Sequence, residues 1–276
     1  MTNLQKENTQ TAIAAYCTAK DISKRELATR IGVSPATISN MVNGKWDNID
    51  NRLWKQVWNY VNPEHLNGLF QTSDCNSVFD LCNNAVKNKY MIGLIGNTGM
   101  GKTTALTAYA KRKNVFYYYI DGTVTPKIFL KDMLREMGVQ FEGSLNAMLA
   151  RIADELNTLN EPLVILDECA KLSDKMMLAL HSLRDKTMQN CGLVLGGMPD
   201  FKNNLIKHAN KGTTGYAEFL RRINIWHELK GLSTAEIVYI LEANGITDKD
   251  TQREYRKLNR FGDLMNEINL YKSVNA

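Results

Sequence analysis

The stretch Gly96-Asn97-Thr98-Gly99-Met100-Gly101-Lys102-Thr103 fits G-x-x-x-x-G-K-[ST] at every fixed position. Glycines so spaced let backbone N–H groups turn inward around phosphates, and a helix opening behind the loop adds a favourable partial charge. Lys102 has the reach for the β- and γ-phosphates of ATP, and the Thr103 hydroxyl suits a Mg2+ shell. Thr104 carries the chain into the first helical turn. Further along, Leu163-Val164-Ile165-Leu166 runs into Asp167-Glu168. An apolar strand ending in two acids delivers Asp167 to the edge of a sheet, where it can hold Mg2+. Glu168, one residue later, points elsewhere and can act as general base on an attacking water. Together the two motifs imply an ATPase site.

Such a site needs a sheet. Apolar, β-rich runs recur at 90–95 (YMIGLI), 115–120 (VFYYYI), 163–167, 192–197 (GLVLGG) and 223–229 (INIWHEL), with helical stretches at 103–112 and 126–137 among them. Continuous apolar strands separated by helices indicate a parallel sheet covered on both faces. The fold class is therefore α/β, a P-loop core over residues 77–230. A polar tract, 63–76, reads as a linker from residues 1–62, which read as short helices. Residues 231–276 return to helices, the first starting at Ser233/Thr234 and stopping at Gly245.

Composition bounds the remaining possibilities. The chain has 276 residues, 44% hydrophobic and 23% charged, enough for two domains with a disulfide-free core. No apolar run approaches a membrane span and the first residues lack a secretory pattern, so a cytoplasmic location and no membrane partner are expected. Five cysteines without C-x-x-C spacing suggest neither zinc nor a disulfide framework. The net charge of +5 leans mildly toward polyanions. The tyrosines at 117–119 and Met133, Met137, Met176 and Met177 read as core, as do Trp54 and Trp58 within the N-terminal domain.

The N-terminal region supplies a second motif. A helix over 23–31, with Ser23 and Glu26 as a capping box, stops at Gly32. Another starts at Ser34 with Pro35 in its first turn and ends near Val42. This is helix-turn-helix spacing. Ala36, Thr37, Ser39 and Asn40 then face a major groove, while Lys24, Arg25, Arg30 and Lys45 can meet phosphates. A small helical interaction domain without a DNA role has the same pattern.

The order of strands and motifs resembles the additional-strand P-loop ATPases, and the helical C-terminal segment resembles the lid of the AAA+ class. In that class a neighbour-directed arginine finger stands where Arg221 and Arg222 precede the fifth strand. Arg222 aligns as the finger, and Arg221 is the runner-up or a structural partner to a carboxylate. A basic pair at a strand start is the plain alternative. With ATISNMVNGK, GNTGMGKT, LVILDE, GLVLGG and FLRRI in this order, the chain resembles the bacteriophage Mu B-like transposition proteins over roughly residues 20–270. The resemblance implies an ATP-dependent, sequence-tolerant binder of double-stranded DNA. It implies self-assembly into a helical homo-oligomer and delivery of target DNA to a DDE integrase-like transposase, in the cytoplasm of a bacterial host of a phage or mobile element. It also brings the segment after the second strand to DNA, with Lys127 and Lys131 as candidate contacts or merely a solvated face. Two departures stand out: Gly196-Gly197-Met198 lacks a polar γ-phosphate sensor, and Met265 occupies the usual place of a second sensing arginine. A helicase loader or replication initiator, and an ATP-switched helix-turn-helix regulator, are the other functions these motifs allow.

Overall fold

The computed structural model describes residues 3–46, 49–61 and 69–274. At the N-terminus, α1 (Asn3–Lys20), α2 (Lys24–Ile31), α3 (Pro35–Val42) and α4 (Asn51–Val61) enclose a small core of Ile13, Leu27, Ile38, Met41, Trp54 and Val57. Ser23 and Ser34 cap α2 and α3 by accepting from Glu26 and Thr37 N–H groups, and Gly32 ends α2 in the left-handed conformation. Three expectations change. The segment begins with one 18-residue helix rather than short ones. The Glu26 carboxylate closes no capping box but pairs with Arg30 at 2.7 Å. Trp54 is fully buried, whereas Trp58 is only half-buried.

The expected linker falls in part outside the described residues, at 63–68. Its remainder is not linker. α5 (Ser73–Asn88) starts within it, capped by Thr72, and packs Val78, Cys82 and Ala85 on the sheet. That sheet comprises β1 (Met91–Ile95), β2 (Val115–Tyr119), β3 (Leu163–Asp167), β4 (Gly192–Gly197) and β5 (Ile225–Glu228). All pairings are parallel, in the order β2-β3-β4-β1-β5. The strand separating the P-loop strand from the acidic strand is thus β4, and β2, which lies between those motifs in sequence, is an edge. Burial on both faces explains the unbroken apolar runs. Ile92, Leu94, Ile165 and Val194 meet α5 and α6 (Lys102–Tyr109). Met91, Ile95, Leu166 and Leu195 meet the opposite layer, formed by α7 (Pro126–Glu136), α8 (Leu145–Thr158), α9 (Asp174–Thr187), α10 (Pro199–Asn210) and α11 (Tyr216–Arg222). The four methionines named above lie in this layer.

The last helices, α12 (Thr234–Ala243), α13 (Lys249–Tyr255) and α14 (Phe261–Val274), have their own core around Ile237, Ile240, Leu241, Leu264 and Ile268. Ser233 and Glu236 form a full capping box on α12.

The helix-turn-helix is mounted on the end of the sheet where strands begin. Lys20, the last residue of α1, donates to the carbonyls of Ala110, Arg112 (2.9 Å) and Val115 (3.1 Å). The first of these ends α6 and the last begins β2, so a cation caps the negative end of the P-loop helix. Tyr60 donates to Glu136 at 2.8 Å, and Asp21 pairs with Lys113. Burial pushes the Lys20 pKa down to about 7, partly opposed by Glu136, and pushes that of Glu136 up, opposed by its Tyr60 hydrogen bond, Arg30 and Lys20.

Candidate nucleotide site and DNA-facing surfaces

The phosphate loop leaves β1 at Gly96 and enters α6 at Lys102. Gly99 and Gly101 have φ of 81° and 85°, values that side chains rarely tolerate, so glycine is what lets the loop turn at these points. Lys102 is buried and donates to Gly96 O at 2.6 Å and Asn97 O at 3.1 Å, which holds its ammonium against the loop it would share with phosphates. Burial lowers its pKa, with Asp167 and Glu168 pulling the other way. Asn97 and Thr98 are exposed at the loop's rim, where the Thr98 hydroxyl lies 3.7 Å from the Met198 sulfur. Met100 and Thr104 line a narrow apolar crevice with Leu69, Phe70, Val78, Leu232 and Phe261.

Asp167 is fully buried and reaches Thr103 across the intervening β4. Its Oδ2 accepts from the Thr103 hydroxyl at 2.6 Å and from Tyr117 at 3.0 Å, and its Oδ1 accepts from the Glu168 N–H at 2.9 Å. Gly196 of β4 makes the crossing possible, because a Cβ there would stand 2.9 Å from Asp167 Oδ1. Burial, the Asp167 charge and this hydrogen bond raise the Tyr117 pKa, so its phenol stays a donor. One carboxylate beside one hydroxyl is a hard-oxygen pair that would suit Mg2+. Glu168 turns away from Asp167 because its backbone is left-handed, with φ 60° and ψ 38°. Its carboxylate lies 3.5 Å from Lys171, which also accompanies the Tyr119 hydroxyl at 2.9 Å.

Sequence reasoning placed Lys102, Thr103, Asp167 and Glu168 together, and the structure assembles them. It missed Tyr117 and Gly196, because both act across strands far apart in sequence. Tyr119 is likewise 55% exposed rather than core. The lid places a different cation near the loop. Met265 packs on the lid core, whereas Arg260 stands at the phosphate loop, its Cβ 3.9 Å from the place a Cβ on Gly99 would occupy. The lid is hooked there by the Gly262 N–H, which donates to Gly99 O at 2.7 Å. Behind it, buried Asp74 accepts from the N–H groups of Lys230 and Gly231, tying α5 to the lid's root.

The arginine pair lies at the other end of the sheet. Arg222 is held by Asp185 at 2.7 Å and by the Glu218 carbonyl, whereas Arg221 is exposed and has no ion-pair partner among the described residues. Of the proposed DNA contacts, Ala36 and Ser39 are exposed on α3, and Thr37 and Asn40 are half-exposed. The Thr37 hydroxyl bonds Ser34, and Ser39 accepts from Asn43. Lys24, Arg25 and Lys45 are exposed around them. Arg30 is not available to phosphate. It is buried in the mount, paired with Glu26 and 5.6 Å over the Phe116 ring. On α7, Lys127 is exposed, but Lys131 is tied to Glu142 at 2.6 Å.

This geometry defines a P-loop ATPase fold of the AAA type carrying an N-terminal helix-turn-helix. Residues 85–205 match the AAA domain family, and residues 13–46 match a helix-turn-helix family. The chain is similar, at 22% identity over 231 residues, to the ATP-dependent target DNA activator B of Escherichia phage Mu, covering 79% of this chain and 72% of that protein. The activator B of Escherichia phage D108 matches to the same extent. Among solved structures, a DNA replication initiation factor shares the fold at TM-score 0.50 and 16% identity, over 76% of this chain and 65% of that one. No helix of the described residues is long and apolar enough to cross a membrane.

Proposed function

We propose that this protein is an ATP-dependent DNA-binding ATPase that assembles on duplex DNA and delivers it to a transposase. The observation that carries this reading is the joined Lys102–Thr103–Asp167–Glu168 site in a chain that also presents a helix-turn-helix and is similar to two target DNA activators. Loop N–H groups and Lys102 hold the triphosphate. Thr103 and Asp167 would hold Mg2+, which neutralises developing charge on the β- and γ-phosphates. Glu168 takes the proton of the attacking water, and Arg260 offers the lid's cation to the phosphates. A neighbour's arginine completes the charge, and Arg221 takes precedence over Arg222 because Arg222 is committed to Asp185. The outward α3 side chains are short, and apart from Asn40 they offer little bidentate base readout, which suits sequence-tolerant binding.

Lys102→Ala is expected to abolish ATP binding. Glu168→Gln is expected to bind ATP but lose hydrolysis by about 10²–10⁴, and so to stay on DNA. Footprinting with ATP tests assembly: continuous coverage supports it, and a single protected palindrome indicates a regulator instead. Wild-type turnover in Glu168→Gln removes that residue as the base.

A further inference from the structure

β2 carries tyrosines at 117, 118 and 119, and their hydroxyls go to different places. Tyr119 is exposed and accompanies Lys171. Tyr118 is buried against α7, where it donates to the Met133 carbonyl at 2.8 Å, an acceptor already served by the Met137 N–H. Tyr117 faces the other side of the sheet and donates to Asp167. In register it lies beside Ile165, two residues short of Asp167. Two residues of parallel strand rise about 6.6 Å. A phenol leaning along the strand spans that gap, and a shorter hydroxyl or amide side chain does not.

Asp167 is confined from several sides. A carboxylate offers about four lone-pair sites, and Thr103, Tyr117 and the Glu168 N–H occupy all but one of them. Gly196 of β4 closes the flank away from β2, since a Cβ there would come within 2.9 Å of Oδ1. Among these donors the Glu168 N–H is backbone, and the Thr103 oxygen would itself face Mg2+. To do so the Thr103 hydroxyl has to keep donating to Oδ2, so Oδ2 has to stay where it is. Tyr117 bonds the same oxygen and has no other hydrogen-bond partner among the described residues. We infer that Tyr117 is a positioning residue for the Mg2+ site, fixing the Asp167 carboxylate so that it and Thr103 present their oxygens together. The inference rests on the nucleotide-binding reading above. Groups that orient metal ligands in this way typically matter by about 10–100-fold in metal affinity or activity.

The test uses the full-length protein with Tyr117→Phe, which keeps the ring and removes the hydroxyl. Tyr118→Phe is its control, a neighbouring hydroxyl that does not meet Asp167. Binding of a non-hydrolysable ATP analogue is measured by calorimetry across a Mg2+ series and in EDTA, beside thermal unfolding of each protein. Tyr117→Phe is expected to need about tenfold more Mg2+ to reach half of the metal-dependent gain in affinity, with the loss confined to that gain. Tyr118→Phe is expected to keep the wild-type Mg2+ requirement. Gly196→Ala crowds Asp167 from the other flank and keeps the phenol, so it should raise the requirement too, and it carries the test if Tyr117→Phe does not fold. A wild-type Mg2+ requirement in the folded variant, whatever its unfolding midpoint, would overturn the inference and leave Tyr117 as a partner that only stabilises a buried charge. A loss of equal size in EDTA, or an equal shift in Tyr118→Phe, would overturn it as well. Absence of any Mg2+-dependent gain in the wild-type protein would instead remove the nucleotide reading itself.

Discussion

The two ends of the sheet are built differently. Where the strands finish, the phosphate loop, Asp167 and the lid meet through hydrogen bonds that a nucleotide can replace or rearrange: Lys102 on loop carbonyls, Thr103 on Asp167, Gly262 on Gly99. Where the strands begin, Lys20, Glu136 and Tyr60 hold the helix-turn-helix through one buried ammonium and two half-buried polar partners. Buried charges add little net stability, but removing one partner leaves the other unpaired at high cost. The finish end is therefore suited to change with nucleotide, and the start end to hold the helix-turn-helix in one orientation. Arg221 also sits at the start end, since β5 begins beside it and Asn224 bonds the first residue of β1. From there it stands at the opposite end of the sheet from its own phosphate loop.

The largest expected effect breaks that last point. Arg221→Ala is expected to lower DNA-stimulated ATP turnover by about 10³ or more, with nucleotide binding kept. Arg222→Ala, losing a partly exposed ion pair, is expected to cost about 1 kcal/mol or less of stability and little turnover. Mixing Arg221→Ala with Lys102→Ala should restore activity, because a mixed interface joins an intact loop to an intact arginine. The opposite ranking of the two arginines would return the finger to Arg222.

Next comes the mount. Lys20→Met is expected to destabilise the protein by about 2–3 kcal/mol, the scale of charged hydrogen bonds left unmade, with unchanged nucleotide affinity. Its pH dependence has a definite sign. The Lys20 pKa is about 7 in the folded chain against an ordinary 10.5, so the folded state binds fewer protons between those values. The burial penalty on the ammonium is full below pH 7 and eases as pH rises, so Lys20 makes the wild type gain stability from pH 7 to 9.5. Denaturant unfolding of both proteins at the two pH values checks this, and the gain should be smaller in Lys20→Met. Equal slopes would show that folding does not lower the Lys20 pKa.

The smallest effect belongs to the lid hook. A Cβ on Gly262 would lie 3.1 Å from Gly99 Cα. Gly262→Ala is expected to weaken nucleotide binding by about 1 kcal/mol, roughly fivefold, without a change in unfolding midpoint. Calorimetric titration with an ATP analogue beside thermal unfolding separates the two. A loss of stability with unchanged affinity would make the lid a structural element like the mount.

Local signals settled much of this protein. The phosphate loop, the acids ending β3, the serine caps and Gly32 were legible because each depends on neighbours within a few residues: a glycine allowing a left-handed turn, a hydroxyl reaching an N–H three residues on. The five strands were legible because burial on both faces leaves an unbroken apolar run. What needed the tertiary structure was every pairing across distance. Glu26 has the spacing of a capping box, yet its carboxylate goes to Arg30, because Arg30 is buried against Phe116 and an unpaired guanidinium there would be costly. Residues 69–76 look like linker by composition, yet Thr72 caps a helix and Asp74 ties the lid. Arg221 and Arg222 are adjacent and chemically identical, and only the place of Asp185 on α9 decides which is committed. Sequence patterns report the conformations a segment prefers on its own. Which buried charge finds which partner is set when distant segments leave water together, since only then does an unpaired charge or carbonyl become expensive.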